Sequence, residues 1–316
     1  MSKKISIIII GFGSIGRRHY RNLIKLGYRN VFVFDIDYRR IRNYELGIRV
    51  VNLKVLEDFD VVFICTPNHL HFKYALLAAK AGCHLFIEKP LSPTLAGVSK
   101  LISVCQNKHL VNLVACNMRF NPALRFIKNY LDSNKLGRVY AIHHEFGYYL
   151  PFWRPHQDYR KNYAAQRKTG GGIILDDIHE FDLLFWLNNF KPVRESRFVY
   201  GKVSNLKIET EDVAVAAFKF KNGVIGSVRC DYLQQNESRN CKIIGEKGNL
   251  EWDFKNDQVW LKTKKGSKKL FSLKRKNDNQ DYIDEIRYFL GRVKNKKETF
   301  NNFATATKIL NYLVKK

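Results

Sequence analysis

The chain has 316 residues, 45% hydrophobic and 27% charged, an ordinary globular balance that excludes a disordered or fibrous chain. At roughly 100–200 residues per domain, the length suggests two domains. A formal net charge of +26 admits anionic partners, but no helix-turn-helix, zinc or RNP-type motif accompanies it, so no nucleic acid is expected and a non-catalytic nucleotide-sensing or nucleic-acid-binding protein is the remote reading.

The N-terminus runs from Met-Ser-Lys-Lys into the apolar stretch Ile5–Ile10. That stretch is too short for a signal-peptide core, and no later run approaches the ~18–20 apolar residues of a membrane span. A cytoplasmic protein without a membrane partner is expected. Ile5–Ile10 reads instead as a strand buried on both faces of a parallel sheet. A helix is predicted from Gly16 to Leu26, stopped by Gly27, and a second strand at Val31–Phe34. Between the first strand and the helix stands Gly11-Phe12-Gly13-Ser14-Ile15-Gly16. In this strand–helix context the G-x-G-x-x-G predicts a dinucleotide site: Gly11 for the tight turn, Gly13 for close approach of a pyrophosphate, Gly16 for helix–sheet packing. The phosphates would meet the helix N-terminus. Asp35 closes the second strand about 20 residues on, where a carboxylate accepts from the adenosine ribose and repels a 2′-phosphate. This favours NAD. Arg39 and Arg40 lie close enough to keep NADP as the alternative.

Val61–Cys65 is the next strand, and Thr66-Pro67-Asn68 its exit loop. A helix follows from about His71 to Ala81, closed by Gly82. Leu85–Ile87 is a strand ending at Glu88-Lys89-Pro90. Ser92-Pro93 predicts an N-cap with proline at N1, opening a helix that buries Leu95, Val98, Leu101, Ile102 and Cys105. Val111–Ala115 completes a β-α alternation that implies a doubly wound sheet. The six cysteines form no C-x-x-C pair, so no metal site is expected, and their usage fits a reducing compartment.

Two of these segments carry a resemblance. Cys65-Thr66-Pro67-Asn68-His69-Leu70-His71 and Ala81-Gly82-Cys83-His84-Leu85-Phe86-Ile87-Glu88-Lys89-Pro90 resemble the signature of the glucose–fructose oxidoreductase / inositol dehydrogenase / rhizopine catabolism (Gfo/Idh/MocA) family. The resemblance implies a two-domain α/β enzyme: a Rossmann domain over 1–120, and over 121–316 an α+β domain with an open, mainly antiparallel sheet that serves substrate binding and oligomerisation. The last helices are able to pack back on the first domain, and a homo-oligomer, dimer or tetramer, is expected. It implies that Thr66, Asn68, His71, Glu88 and Asn117 lie on the cofactor side, with the glycine-turn residues and Asp35. It also implies a cis peptide before Pro90. Lys89 is the leading catalytic candidate: an ammonium beside the reacting hydroxyl stabilises a developing alkoxide.

After residue 120 the pattern changes. A helix near Pro122–Asp132 precedes a strand at Val139–Phe146. The aromatic and polar loop Tyr148–Arg160 follows. It resembles a branch of the family acting in bacterial surface-sugar biosynthesis, with Trp153 for stacking on a sugar and His156, Tyr159 and Arg160 for hydroxyls or phosphate. An ordered Ω-loop is the competing reading. Gly170-Gly171-Gly172-Ile173-Ile174-Leu175-Asp176-Asp177-Ile178-His179 resembles the family's GGG-x-x-x-D-x-x-x-H segment with one residue fewer between aspartate and histidine, which makes Asp177 a rival of Asp176. His179 would take the hydroxyl proton as general base, with Asp176 beside it on one helical face. A helix near His179–Leu187 leads into strands at Val213–Phe220 and Val224–Cys230 around Asn222-Gly223, a strong hairpin signal. Strands follow at Lys242–Ile244, Leu250–Phe254 and Val259–Lys262, and helices at Tyr282–Val293 and Phe303–Val314. Eight cations between Lys262 and Lys276 read as a solvated lysine-rich surface. The function expected is an NAD(P)-dependent oxidoreductase of a sugar, sugar acid or nucleotide sugar, its substrate lying between Lys89 and the Asp176–His179 segment. The alternative is an NAD-dependent glycosidase using transient oxidation.

Overall fold

The computed structural model describes residues 5–42, 44, 48–273 and 279–315. The chain divides into two compact units, Met1–Cys116 with Asn279–Val314, and Asn117–Asp278 with the last two residues. The expected boundary at 120/121 therefore falls at 116/117, and the two terminal helices count with the first unit.

The first unit is a six-stranded parallel sheet ordered β3-β2-β1-β4-β5-β6. Its strands are β1 (Ile7–Ile10), β2 (Val31–Phe34), β3 (Arg49–Val50), β4 (Val61–Ile64), β5 (His84–Ile87) and β6 (Asn112–Val114). The helices between them are α1 (Ser14–Lys25), α2 (Arg39–Arg42), α3 (Asn68–Ala81) and α4 (Val98–Asn107). All four residues of β1 and of β4 are buried, because helices cover both faces. Strand order reverses beside β1, so the loops leaving β1 and β4 open at the switch point where such sheets bind ligands. Ser92-Pro93 does not start a helix. Ser92 Oγ accepts from Thr94 N (3.3 Å) in a local turn, and α4 waits for Gly97, whose φ of +75° and closeness to the Phe72 ring exclude a side chain.

In the second unit α5 (Pro122–Asp132) precedes β7 (Val139–Gly147). The short helices α6 (Leu150–Trp153) and α7 (Ile173–Asp176) flank three 3-10 turns, and α8 (Ile178–Leu187) follows. Seven more strands are β8 (Val193–Gly201), β9 (Val213–Phe220), β10 (Ile225–Asp231), β11 (Ser238–Gly245), β12 (Gly248–Asp253), β13 (Gln258–Thr263) and β14 (Gly266–Ser272). They form one sheet ordered β14-β13-β12-β11-β7-β10-β9-β8. Every pairing is antiparallel except β7 with β10. The Asn222-Gly223 turn joins β9 to β10 as the sequence predicts, with Gly223 at φ +87°. Strict alternation along β9 turns Ala214, Ala216, Phe218 and Phe220 inward and leaves Val215 out beside the exposed Val199 of β8.

Part of the lysine run is not featureless surface. Lys268 and Lys269 stand exposed on β14, the edge of the sheet, where charge blocks pairing with another chain. Lys274, Arg275 and Lys276 lie outside the described residues.

The chain ends on α9 (Gln280–Lys294) and α10 (Phe303–Leu313). Ile286, Phe289, Leu290 and Val293 of α9 enter the cluster that holds Ile7, Ile9, Val31, Phe63 and Phe86. Asn301 Nδ2 donates to Val114 O (2.8 Å) and Val114 N donates to Asn301 O (3.0 Å), closing the β6 edge. Among the described residues no helix is long and apolar enough to cross a membrane.

Candidate active site

The glycine turn leaves β1 and opens α1. Gly11 has φ +94°, and a Cβ there would lie 2.7 Å from the carbonyl carbon of Cys65. A Cβ on Gly16 would lie 2.0 Å from Gly11 O. Both glycines are therefore demanded by the chain's own packing. Gly13 is different: a Cβ there meets nothing within 4 Å. Its missing side chain leaves open space over the turn, where a pyrophosphate needs it. The exposed Ser14 begins α1, whose first turn has no acidic residue to compete with an anion. Phe12 is wholly buried, edge-on to Tyr20 and Tyr44 at 5.8 and 5.1 Å, and Ile15 packs on the core. These two offer a ligand main chain only. Asp35 Oδ2 accepts from Phe12 N (2.6 Å) and Oδ1 from Asp37 N (2.8 Å), with Arg40 Nη1 3.7 Å from Oδ2. The carboxylate is thus locked to the turn it serves. The Thr66 hydroxyl is buried with no hydrogen-bond partner among the described residues, a donor waiting beside the same turn. Open space at Gly13, a bare helix N-terminus and an orphaned hydroxyl together fit a dinucleotide.

Helix α3 begins at Asn68, three residues earlier than the sequence suggests, so Asn68 is a buried first-turn residue. His71 is fully buried, with Nδ1 2.6 Å from Pro90 O and Nε2 2.8 Å from Thr66 O. A ring so enclosed has no nitrogen left for a cofactor; it pins two loops together instead. Burial pushes its pKa down, against the two carbonyls and Glu88 that pull it up. Glu88 likewise faces inward. Its Oε1 meets His19 Nε2 at 2.6 Å. Burial alone would raise Glu88, but the hydrogen bond and charge of His19, then Lys89 and His71, bring it below the ordinary carboxylate value. Half-buried Lys89 follows, and its peptide to Pro90 is cis. Asn117 opens a 3-10 turn (Asn117–Phe120) in the second unit and is buried.

In that unit Asp176 and His179 do not share one helix. Asp177 (φ −103°, ψ 38°) breaks the chain between α7 and α8. The three-residue spacing is thus a corner, not a helical face. The Asp176 carboxylate accepts from Tyr163 Oη (2.5 Å) and Tyr232 Oη (3.0 Å). Burial and Asp176 push the Tyr232 hydroxyl well up. The rival Asp177 is engaged elsewhere, by Arg239 Nη2 at 3.2 Å. Arg239 also reaches Glu180 Oε1 (2.9 Å) and stacks over Phe146 (4.2 Å). His179 is half-buried in the first turn of α8, whose neighbouring positions are buried. The triple glycine makes room for the chain itself. A Cβ on Gly171 would strike Tyr163 O at 2.3 Å, and one on Gly172 would strike Glu211 Oε1 at 2.6 Å.

The loop residues divide. Trp153 donates to Tyr148 O (2.9 Å) and packs edge-on against Phe146 and Tyr232, so much of its ring is taken by the Ω-loop packing. Tyr159 Oη accepts from Lys207 N (3.2 Å), and Arg160 is held by Asp158 at 2.8 Å. His156 is exposed. Arg160 also lines a cleft of about 360 Å³ with Lys202, Lys207 and Glu209. Among the described residues no group of three or more His, Cys, Asp or Glu is placed to hold a metal.

Two family models match the chain. An oxidoreductase family with an NAD-binding Rossmann fold covers residues 5–116, and the GFO/IDH/MocA C-terminal domain covers residues 124–251. The chain belongs to the Gfo/Idh/MocA family. Myo-inositol 2-dehydrogenase of Thermotoga maritima is 27% identical over 308 residues, 90% of this chain and 87% of that protein. Levoglucosan dehydrogenase of Pseudarthrobacter phenanthrenivorans is 27% identical over 221 residues, 62% of this chain, and the match spans only 56% of that protein. A solved levoglucosan dehydrogenase in complex with NADH superposes with a TM-score of 0.84 at 19% identity, covering 99% of this chain and 98% of that one. As a Gfo/Idh/MocA member, the protein is an oxidoreductase, and its first unit is an NAD-binding Rossmann domain.

Within this Gfo/Idh/MocA frame, sequence reasoning missed His19, Tyr163 and Tyr232. His19 stands three residues past the last glycine of the turn, a place that only a view of β5 makes informative. Tyr232 lies 56 residues from Asp176 and Tyr163 lies 13, and no local pattern links either to it.

Proposed function

We propose that the protein is an NAD-dependent dehydrogenase or reductase of a sugar, sugar acid or nucleotide sugar, with Lys89 at the reacting hydroxyl. The observation that carries this is Lys89 at the C-terminal end of β5, its two neighbours pinned by His19 and His71. A bound nicotinamide supplies the hydride acceptor. Gly13, Ser14 and Thr66 would hold the dinucleotide on the turn that Gly11 and Gly16 shape, and Asp35 would accept from its ribose. Lys89 hydrogen-bonds the substrate oxygen and stabilises negative charge developing there. In the second unit His179 is the candidate general base for a hydroxyl proton. Asp176, steadied by two phenols, orients the His179 imidazole or binds a neighbouring hydroxyl. Trp153, His156, Tyr159 and Arg160 contribute to the sugar subsite.

The six cysteines are all buried, and none forms a disulfide among the described residues, which supports a reducing, cytoplasmic setting. Exposed Val199, Val215 and Ile225 on the uncovered sheet face support a homo-oligomer.

The test is NAD reduction with a panel of myo-inositol, levoglucosan and UDP-N-acetylglucosamine. Stoichiometric NADH formation that is lost in Lys89→Met supports the reading. Glycoside cleavage with NAD required but not consumed would replace it with the glycosidase reading.

A further inference from the structure

We propose that His19 is a positioning residue for Lys89: from the phosphate-turn helix it holds the Glu88 carboxylate, and so fixes the negative charge that Lys89 meets. The inference rests on the reading of Lys89 as the catalytic lysine. His19 lies one turn into α1, fully buried among the rings of Phe86 (5.1 Å), Phe63 (5.7 Å) and Tyr282 (6.2 Å). An imidazole and a carboxylate in that setting cost more than an apolar pair of the same shape would. What the polar pair adds is a fixed charge. Nε2 of His19 donates to Glu88 Oε1 at 2.6 Å, while Nδ1 is buried without a partner among the described residues. The ring has no second task.

The main chain of Glu88 is equally fixed, its N–H donating to Ile64 O at 3.0 Å. On the far side of Lys89, Pro90 O accepts from His71 Nδ1 at 2.6 Å. Lys89 is therefore held on one side by a histidine of α1 and on the other by a histidine of α3. Both helices begin at loops that serve the dinucleotide. The titratable and charged groups around the pair are His19 and Arg18 from α1, Cys65 after β4, His71 from α3, and Tyr282 and Glu285 from α9.

The sign of the effect follows from charge. A nearby carboxylate favours the ammonium, and a hydrogen bond donated to a buried carboxylate keeps it charged and in place. Removing His19 leaves a buried carboxylate without its donor, which raises its pKa and frees it to turn, so its pull on Lys89 weakens; neutralising Glu88 removes the attraction altogether.

Competitive acetylation of the full-length protein with acetic anhydride, read at Lys89 by peptide mass spectrometry from about pH 6 to 11, gives its titration curve without any substrate. Glu88→Gln should lower the half-titration pH by about 0.5 or more, and His19→Ala should shift it in the same direction by a smaller amount, about 0.3 or more. The double variant should follow Glu88→Gln. His19→Gln, which keeps a donor, should stay within about 0.2 of wild type. NAD affinity should change by less than about threefold throughout. Superposed curves for wild type and a natively melting His19→Ala overturn the proposal. If His19→Ala does not fold, an unmoved curve in the isosteric Glu88→Gln overturns it instead. Persistent sugar oxidation by Lys89→Met would defeat the catalytic reading alone, and the labelling result would stand apart from it.

Discussion

Asp35, Lys89 and His144 each carry a charge whose setting predicts a measurement. Asp35 accepts two main-chain N–H bonds at the glycine turn. Asp35→Ala removes a ribose acceptor and a charge that repels a 2′-phosphate. NAD should bind tenfold or more weakly, on the order of 1.5–3 kcal/mol for a hydrogen bond to a charged group, and the preference should move toward NADP. An unchanged ratio of the two affinities, measured by fluorescence titration, would count against the ribose role. Lys89→Met should lower turnover by about 100-fold or more, the scale of lost acid–base or electrostatic catalysis, with NAD still bound. His144 is enclosed by Cys241 Sγ (3.5 Å) and Glu180 Oε2 (3.2 Å). Against the cost of burial, Cys241 and then Glu180 raise it from 6.5 to about 10. A raised histidine stabilises the fold fully below its unfolded pKa and loses that contribution as pH climbs through the folded one. The Tm difference between wild type and His144→Asn should therefore be largest near pH 6.5 and narrow toward pH 10. A difference that stays constant over that window would show that the ring does not titrate as described.

At the scale of elements, the three glycines of the β1–α1 turn separate folding from binding. Gly16→Ala puts a methyl 2.0 Å from Gly11 O. Overpacking of that kind costs about 1–3 kcal/mol or more, and the Tm should fall clearly. Gly13→Ala meets nothing within 4 Å, so its melt should stay near wild type. NAD affinity should nevertheless drop tenfold or more, because the methyl occupies space the pyrophosphate needs. A Gly13→Ala protein that binds NAD normally would remove Gly13 from the site. The motif was fully legible in the sequence, since turn, spacing and helix are local. The corner at Asp177 was not. Its φ and ψ answer to Arg239, which arrives from β11 and binds both Asp177 and Glu180. Likewise Ser92-Pro93 carries a good local capping signal, and the chain uses it for a turn because Gly97 must pass the Phe72 ring first.

For the whole molecule, the C-terminal helices are part of the first unit's core. Ile286, Phe289, Leu290 and Val293 of α9 are buried with β1, β2 and β4. At about 1.5–3 kcal/mol each, their burial contributes roughly 6–12 kcal/mol, comparable with the entire stability of a typical domain. A chain truncated before residue 279 should therefore lose cooperative melting of the Rossmann unit and NAD binding together. A truncated protein that still binds NAD with native affinity would show that the sheet is self-sufficient.

The parallel sheet, the glycine turn, the place of Lys89 after β5 and the Asn222-Gly223 hairpin are legible in the amino-acid sequence. Each rests on a pattern a few residues long: a buried apolar run, a fixed glycine spacing, a strand exit, a two-residue turn. Packing between distant segments turns Glu88 to His19, spends His71 on two carbonyls and gives Asp176 to Tyr163 and Tyr232. It also returns α9 and α10 to the N-terminal unit. These partners are separated by 69 residues for His19–Glu88 and by 56 for Tyr232–Asp176. Local periodicity carries no information across such gaps, because what pairs these groups is the cost of burying a polar atom alone.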